Sequence, residues 1–478
     1  MILSSPTLDQ STLATMLAID PVVKEYRALF SLFDWSIVEQ WEAQQSDRGR
    51  PGHPISAYLK AFLLRVHQKL IYTSELRHFL VTHPLLILEL GFRLEHDPSA
   101  DYSFDIEKTL PCRFWLGQKL RNLDQDLLQQ LLHATVVALQ AEIPGLGETV
   151  AFDVKHIYAW VKENNERAYV PERYDKTKRP VGDPDCRLGV KKSSNQEKAA
   201  ATSDQPASAQ TEPPASAPPK PAKAKTEPSK PTKTKTEPKQ EKKELIWGYG
   251  SGVAAATTAD YGDVVLGEHT LPFHENDVTY FRPLHQRSVL ALGGFPTNLT
   301  ADAAFDAWYV YQAAALHGGI AAVPLNQHGH PRFKRDSDGV PLCPRELRMH
   351  PMYLFNHPNG YHAQLYRCPL YFPEREAQAT CDHPQFQAAK GCVKHINVEL
   401  GGLMRVNLDR ESPLYHAIYT QRTSCERINS QAKELGIERP KVRNIHSVRN
   451  LNTLTYLIIN VRALDRAKTI NRGLLQIH

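Results

Sequence analysis

Apolar residues recur at helical spacing over residues 56–68 and 74–81. They recur again along an amphipathic run at 120–140 that ends before Pro144 and Gly145. These stretches mark residues 1–145 as an N-terminal helical domain. The period changes at Glu148. Residues 149–157 are rich in β formers and partly alternate, which predicts a strand, and 249–258 and 263–271 predict two more around a turn at Asp260-Tyr261-Gly262. A helix is expected over 278–290, weakened by Pro283. Then follow a short strand at 297–301, a helix at 305–317 and a short buried strand at 320–324. Another helix is expected at 414–435. In the last helix, Leu454, Leu457, Ile458, Val461 and Leu464 form an apolar face suited to docking on a sheet. The fold class read from this pattern is mixed α/β.

One segment has no such pattern. Between Tyr174 and Trp247 there is no aromatic residue, and residues 193–245 are mostly Ala, Pro, Lys, Thr, Glu and Ser. Lys225-Thr226-Glu227-Pro228 repeats as Lys235-Thr236-Glu237-Pro238. Such a composition buries too little apolar area to offset its ordering entropy, so a disordered linker is expected. It divides the α/β pattern into 146–192 and 246–325. Residues 326–410 then read as an insertion and 411–478 as C-terminal helices.

At 478 residues the chain can hold two or three domains. A net charge of +5 permits a nucleic-acid partner without demanding one. The 7 cysteines, odd in number and scattered, point to a reducing compartment rather than a disulfide scaffold. No basic stretch followed by an apolar run opens the chain, and residues 85–92 are too short to span a bilayer. The expectation is a cytoplasmic protein with no membrane partner.

The densest chemical signal is Tyr419, Arg422, Glu426 and Lys433, spaced Tyr-x2-Arg-x3-Glu-x6-Lys. At about 100° per residue the four side chains fall within roughly 60° of one another on one helix face. A tyrosine, two cations and one acid make a poor core surface but a good site for a phosphodiester and a divalent cation. This spacing resembles the signature of DDE insertion-sequence transposases of the Tyr-Arg-Glu-Lys subgroup. The resemblance implies an RNase H-like catalytic domain, and three strands followed by helix, strand, helix and strand are similar to that fold. The basic turn Arg48-Gly49-Arg50-Pro51-Gly52-His53-Pro54 resembles the entry to the N-terminal helical domain of such enzymes, which would bind DNA ends.

Such a catalytic domain needs carboxylates converging from separate elements to hold two Mg²⁺ (or Mn²⁺) ions. Asp153 lies mid-strand, where aspartate is disfavoured unless ligated or hydrogen-bonded. Asp302 follows a short strand; it is also placed to cap the next helix, and Asp306 is its rival for either role. Glu426 completes the set. The resemblance implies that Asp153, Asp302 and Glu426 ligate metal, that Arg422 and Lys433 clamp phosphate, and that Tyr419 touches the DNA backbone. Lys155 and His156 follow the first acid and are candidate DNA contacts. Arg427, Arg439, Lys441, Arg443, His446 and Arg449 add basic character beyond the signature.

Within the 326–410 insertion, Cys343, Cys368, Cys381 and Cys392 fall close together, which raises a structural Zn²⁺. No Cys-x2-Cys pair is present, so small buried thiols remain the alternative.

The resemblance implies a transposase. It would bind the terminal inverted repeats of a bacterial mobile element, cleave at their ends, and join the 3′-hydroxyl to target DNA as a nucleoid-associated homodimer. An RNase H-like nuclease that does not join, and a non-catalytic DNA-binding repressor derived from a transposase, are the other two readings. The presence of all three acids disfavours the repressor.

Overall fold

The computed structural model of the chain describes residues 10–45, 52–192, 243–326, 334–374, 380–388 and 391–475. Residues 193–242 and most of the basic turn before Gly52 lie outside the described residues, so the expected disorder of that linker and the form of that turn are not addressed by it.

The N-terminal region is helical: α1 (Gln10–Ile19), α2 (Pro21–Phe30), α3 (Ser36–Ala43), α4 (Ile55–His67), α5 (Thr73–Thr82), α6 (Pro84–Leu90), α7 (Ile106–Thr109), α8 (Arg113–Arg121) and α9 (Gln125–Glu142). α4 begins after extended Pro54 and is buried around most of its circumference, with Leu59, Phe62 and Leu63 fully inside. Its Arg65, 2% exposed, donates to the carbonyls of Leu70 (3.2 Å) and Ile71 (2.7 Å) and so closes the following turn. The helix expected at 120–140 instead begins at Gln125. The Asp124 carboxylate accepts from the amides of Asp126 (2.8 Å) and Leu127 (3.0 Å), and this cap leaves Leu120 on α8.

The central sheet contains β1 (Thr149–Tyr158), β2 (Arg187–Lys192), β3 (Lys243–Thr258), β4 (Gly262–Pro272), β5 (Asn298–Ala301) and β6 (Ala321–Ala322). The order is β2–β3–β1–β5–β6, with β4 pairing β3 beyond β2. β1 runs antiparallel to β3 and parallel to β5, and β5 runs parallel to β6. The sequence pattern missed β2, which is six residues long and carries two lysines at its end. Lys192 pairs with Lys243, so residues 193–242 join the two ends of a β2–β3 hairpin. Replacing residues 199–242 by a short turn should leave a folded protein, measured as soluble yield and unfolding temperature. Loss of soluble protein would make the segment part of the fold.

α10 (Phe281–Leu292) follows a 3-10 turn at Asp277–Tyr280. Pro283 lies in its first turn, where no intrahelical acceptor exists for the missing N–H, so the helix tolerates it. The helix expected at 305–317 is shorter: α11 is Trp308–Ala315. Asp306 breaks it. Its side chain, 1% exposed, takes a bidentate Arg405 (2.7 and 2.6 Å), the Tyr311 hydroxyl (2.9 Å) and the Asn326 amide (2.7 Å), and holds the backbone out of helix.

One sheet face (Phe152, Ala254, Leu266, Leu299) packs with α10 and α11 in a single apolar cluster. The other face (Ala151, Ile157, Val253, Val265) shares a cluster with the C-terminal helices and with the N-terminal helices α2, α4, α5, α6, α8 and α9. The last helix, α16 (Ile445–Leu475), buries Leu454, Leu457, Ile458, Val461 and Leu464, the face expected to dock. A buried acid fastens these layers. Glu268 of β4 accepts from Gln125 (3.1 Å), Gln129 (3.0 Å), Thr453 (2.7 Å) and Thr270 (3.2 Å). Glu268→Ala should cost about 3 kcal/mol, because several buried donors lose their shared acceptor. Chemical denaturation should read this as a lower midpoint with unchanged slope.

The insertion carries its own sheet of β7 (His350–His357), β8 (Tyr361–Arg367) and β9 (Val393–Asn397), all antiparallel. Cys343, Cys368 and Cys392 meet Met349 and Phe386 in a small core, and Cys381 packs against it. α12 (Pro384–Gln387) lies between β8 and β9, α13 (Leu400–Asn407) follows β9, and the Arg405–Asp306 pair ties α13 to the main domain.

Candidate active site

The first acid is placed by strand register. Phe152 pairs with Ala301 at the end of the parallel β1–β5 ladder; Asp153 follows on β1, Asp302 leaves β5 as the cap of the next 3-10 turn, and the two lie close enough for the charge of Asp302 to act on Asp153. Adjacent strands are about 4.8 Å apart, and side chains at matched parallel positions share a face. Asp153 therefore faces the side of the sheet covered by the C-terminal helices, opposite to Phe152.

The third expected acid is on the helical stretch that begins with α14 (Pro413–Tyr419). This stretch is not one regular helix. A 3-10 turn at Thr420–Arg422 separates α14 from α15 (Thr423–Glu434). Thr420 and Thr423 each donate their hydroxyl to a carbonyl three residues back (2.9 and 2.8 Å), which tightens the turn. In such a turn positions i and i+3 eclipse, and the Arg422 guanidinium lies over the Tyr419 ring at 5.7 Å. Glu426, one turn further on, accepts from Arg422 at 2.6 Å and is 42% exposed. Lys433 is exposed and pairs with Glu438 at 3.4 Å.

Charge at this site is poorly compensated. Burial, then the neighbouring Asp302, push Asp153 up to about 7, and the Arg422 charge opposes the rise. Burial raises Asp302 as well, against the Ala304 amide (2.9 Å) and Arg422. Arg422 is thus the cation beside both strand acids while bonded to Glu426. Asp302 is both the short-helix cap and Asp153's neighbour, whereas Asp306 is wholly engaged by Arg405, Tyr311 and Asn326.

Two residues here escaped the sequence reading. Asn429 of α15 donates its Nδ2 to Asp153 Oδ2 at 2.8 Å. It lies three positions after Glu426, and helical periodicity could have marked it as the next residue on that face. Asp277 opens the 3-10 turn packed against β1 and the turn capped by Asp302. Burial, then Asp302, raise it to about 6. No sequence pattern distinguishes it from an ordinary loop aspartate.

No family model, curated protein or solved structure matches this chain. The functional reading rests on the sequence signature and the geometry.

Hard oxygen donors at Asp153 and Asp302 suit Mg²⁺ or Mn²⁺. Glu426 is turned to Arg422 instead, and among the described residues no group of three or more His, Cys, Asp or Glu side chains could hold a metal ion as placed. Asp153 and Asp302 are brought together; Glu426 is bonded instead to Arg422, the cation whose charge acts on both. Lys155, on the same strand face as Asp153, lies near Glu438, Lys433 and Lys191, and burial lowers its pKa. His156 is on the opposite face against Phe273 (4.3 Å), and burial, then Lys191 and Lys155, hold it down to about 4. It faces away from Asp153, on the other side of the sheet.

The insertion thiols are all free, and burial followed by Cys368 pushes Cys392 up to about 12. A bound zinc would reverse that, because thiolates are the ligands. Purified protein carrying one zinc per chain, lost on Cys392→Ser, is the outcome expected if these sulfurs ligate. Elemental analysis without zinc would leave them as a packed apolar core.

Beyond the acids, the end of β1 carries a basic and aromatic groove of about 350 Å³, whose lining includes Tyr158, Trp160, Lys162, Arg439, Lys441 and Arg443. Arg439 lies over the Tyr158 ring at 4.1 Å, and Arg443 over Trp160 at 4.6 Å. Arg427, by contrast, is bound bidentately to Asp263 (2.7 and 2.6 Å) and fastens α15 to β4. Among the described residues no helix is long and apolar enough to cross a membrane.

Proposed function

We propose that this chain is a DNA transposase of the DDE type, which cleaves the ends of a mobile element and joins the freed 3′-hydroxyl to target DNA. One observation carries the reading: Asp153 and Asp302 lie together where the β1–β5 ladder ends, beside Arg422 of the helical stretch that also bears Tyr419, Glu426 and Lys433. The sheet supports it. Three antiparallel strands (β4, β3, β1) followed by two parallel ones (β5, β6) on the far side of β1 are the order expected if the domain is RNase H-like.

Asp153 and Asp302 would hold Mg²⁺ or Mn²⁺, which when bound activates the attacking oxygen and stabilises the leaving one. Glu426 would join them by releasing Arg422. The freed guanidinium then has a phosphate oxygen as its natural partner, bound bidentately. Tyr419, stacked on Tyr415 at 5.7 Å, keeps Arg422 over its ring and presents a hydroxyl to the backbone. Lys433, Lys441, Arg439 and Arg443 extend the positive surface along the strand. In the first step water displaces the 3′ oxygen of the terminal nucleotide. In the second, that 3′-hydroxyl displaces a target 3′ oxygen, with no change in the number of phosphodiester bonds.

Incubation of a labelled duplex of the element end with the protein, Mg²⁺ and plasmid tests this. Transposition predicts end cleavage followed by label covalently joined to plasmid. Cleavage without joining would favour the nuclease, and binding without cleavage the repressor.

A further inference from the structure

We infer that Asn429 is a positioning residue for the divalent-cation site, and that its free amide oxygen is a further oxygen donor there. The inference rests on the reading of Asp153 and Asp302 as cation ligands. Asn429 is 7% exposed, and its buried neighbours on α15 include the core residues Cys425, Ile428 and Ala432. Asparagine is a poor helix former, so its presence there needs a reason beyond propensity. Its Nδ2 donates to Asp153 Oδ2 at 2.8 Å and fixes that carboxylate against the helix. Its Oδ1 is buried and has no hydrogen-bond partner among the described residues.

A buried carbonyl oxygen without a donor is uncommon in folded proteins, and an unfilled ligand position is one explanation of it. The two amide atoms share one carbon, so Oδ1 lies in the surroundings of the carboxylate that Nδ2 holds. Hard cations take amide oxygens together with carboxylates. Asn429 also follows Glu426 by three residues, which puts both on one side of α15. The helix that carries the third acid is thereby keyed to the strand that carries the first.

The test is calorimetric titration of the full chain with Mn²⁺ alone, without DNA, for wild type, Asn429→Leu, Asn429→Asp and Asp153→Asn, with thermal unfolding of each in chelator. Asn429→Leu keeps the volume and removes both polar atoms. It should weaken Mn²⁺ by about tenfold or more. Asn429→Asp supplies oxygens in the same place and should bind Mn²⁺ at least as tightly as wild type, although it repels Asp153 in the metal-free fold. A residue that only tied helix to strand would give the opposite order, with Asn429→Asp the worse binder. Wild-type Mn²⁺ affinity in Asn429→Leu would overturn the inference, and if that variant does not fold, weak binding by Asn429→Asp overturns it instead. Should Asp153→Asn abolish Mn²⁺ binding while Asn429→Leu retains it, the role of Asn429 fails and the acid site stands. Unchanged binding in Asp153→Asn would remove both.

Discussion

Asp153→Asn should abolish DNA cleavage, by on the order of 10³-fold or more, and at the same time make the metal-free protein more stable. The first effect follows from the proposed role of Asp153 as a charged metal ligand and is equivalent to about 4 kcal/mol of transition-state stabilisation. The second follows from the raised pKa. Asp153 has an ordinary value of 3.8 and is pushed up to about 7 by burial and Asp302. The fold therefore favours the protonated acid. That favourable contribution is fully present below about pH 4 and is lost as pH rises through about 7. At pH 8 in chelator the wild type bears a buried charge that the amide lacks. One pKa unit is about 1.4 kcal/mol, and with partial exposure screening the shift, a gain of about 2 kcal/mol is expected. The stability difference between variant and wild type should be large at pH 8 and small at pH 4. Asp302→Asn should behave similarly, while Asp306→Asn should lower stability, because it breaks the bidentate Arg405 pair. A cleavage-competent Asp302→Asn beside a dead but folded Asp306→Asn would reverse the assignment of the second acid.

Arg422→Ala should weaken DNA binding and slow cleavage together, and Arg422→Lys should be nearly as damaging although it keeps the charge. The guanidinium stands over Tyr419, bonds Glu426 and lies beside both strand acids, and a point charge on a flexible stem cannot replace that planar arrangement. The slope of log affinity against log salt should fall by about one for Arg422→Ala, one phosphate contact. Lys433→Ala should reduce it by a similar amount with less effect on rate, because Lys433 is exposed and paired with Glu438 rather than with the acids. Tyr419→Phe removes one hydroxyl contact, on the order of 1 kcal/mol. Salt titrations of binding and single-turnover cleavage read both quantities. Wild-type behaviour in Arg422→Ala and Lys433→Ala would reduce the helix to scaffold.

Much of the architecture was legible in the sequence because each element there followed one period. The strand at 149–157, the strands near 249–258 and 263–271, the helix at 56–68 and the docking face of the last helix all have counterparts in the structure. Where the pattern misled, a polar side chain decided the outcome. Asp124 moved a helix start by capping, Asp306 split a helix by drawing in Arg405, Tyr311 and Asn326, and two threonines tightened the turn before Glu426. These are tertiary or side-chain-to-backbone bonds that hydrophobic periodicity does not encode. Of the candidate site, the sequence marked Asp153, Asp302 and the Tyr419–Lys433 spacing. The pairing of Glu426 with Arg422, the approach of Asp277 and the amide of Asn429 depend on contacts between segments over 100 residues apart or on the choice of rotamer.

The central claim is that Asp153 and Asp302 form a metal-dependent centre for joining DNA. Its most direct test is strand transfer from a pre-cut element end bearing a free 3′-hydroxyl into supercoiled plasmid, with Mg²⁺ or Mn²⁺, comparing wild type with Asp153→Asn. Joined product from wild type, none in chelator and none from the variant is the expected result. Joining that persists in Asp153→Asn, or wild type that binds the end yet never joins it under either metal, would contradict the claim.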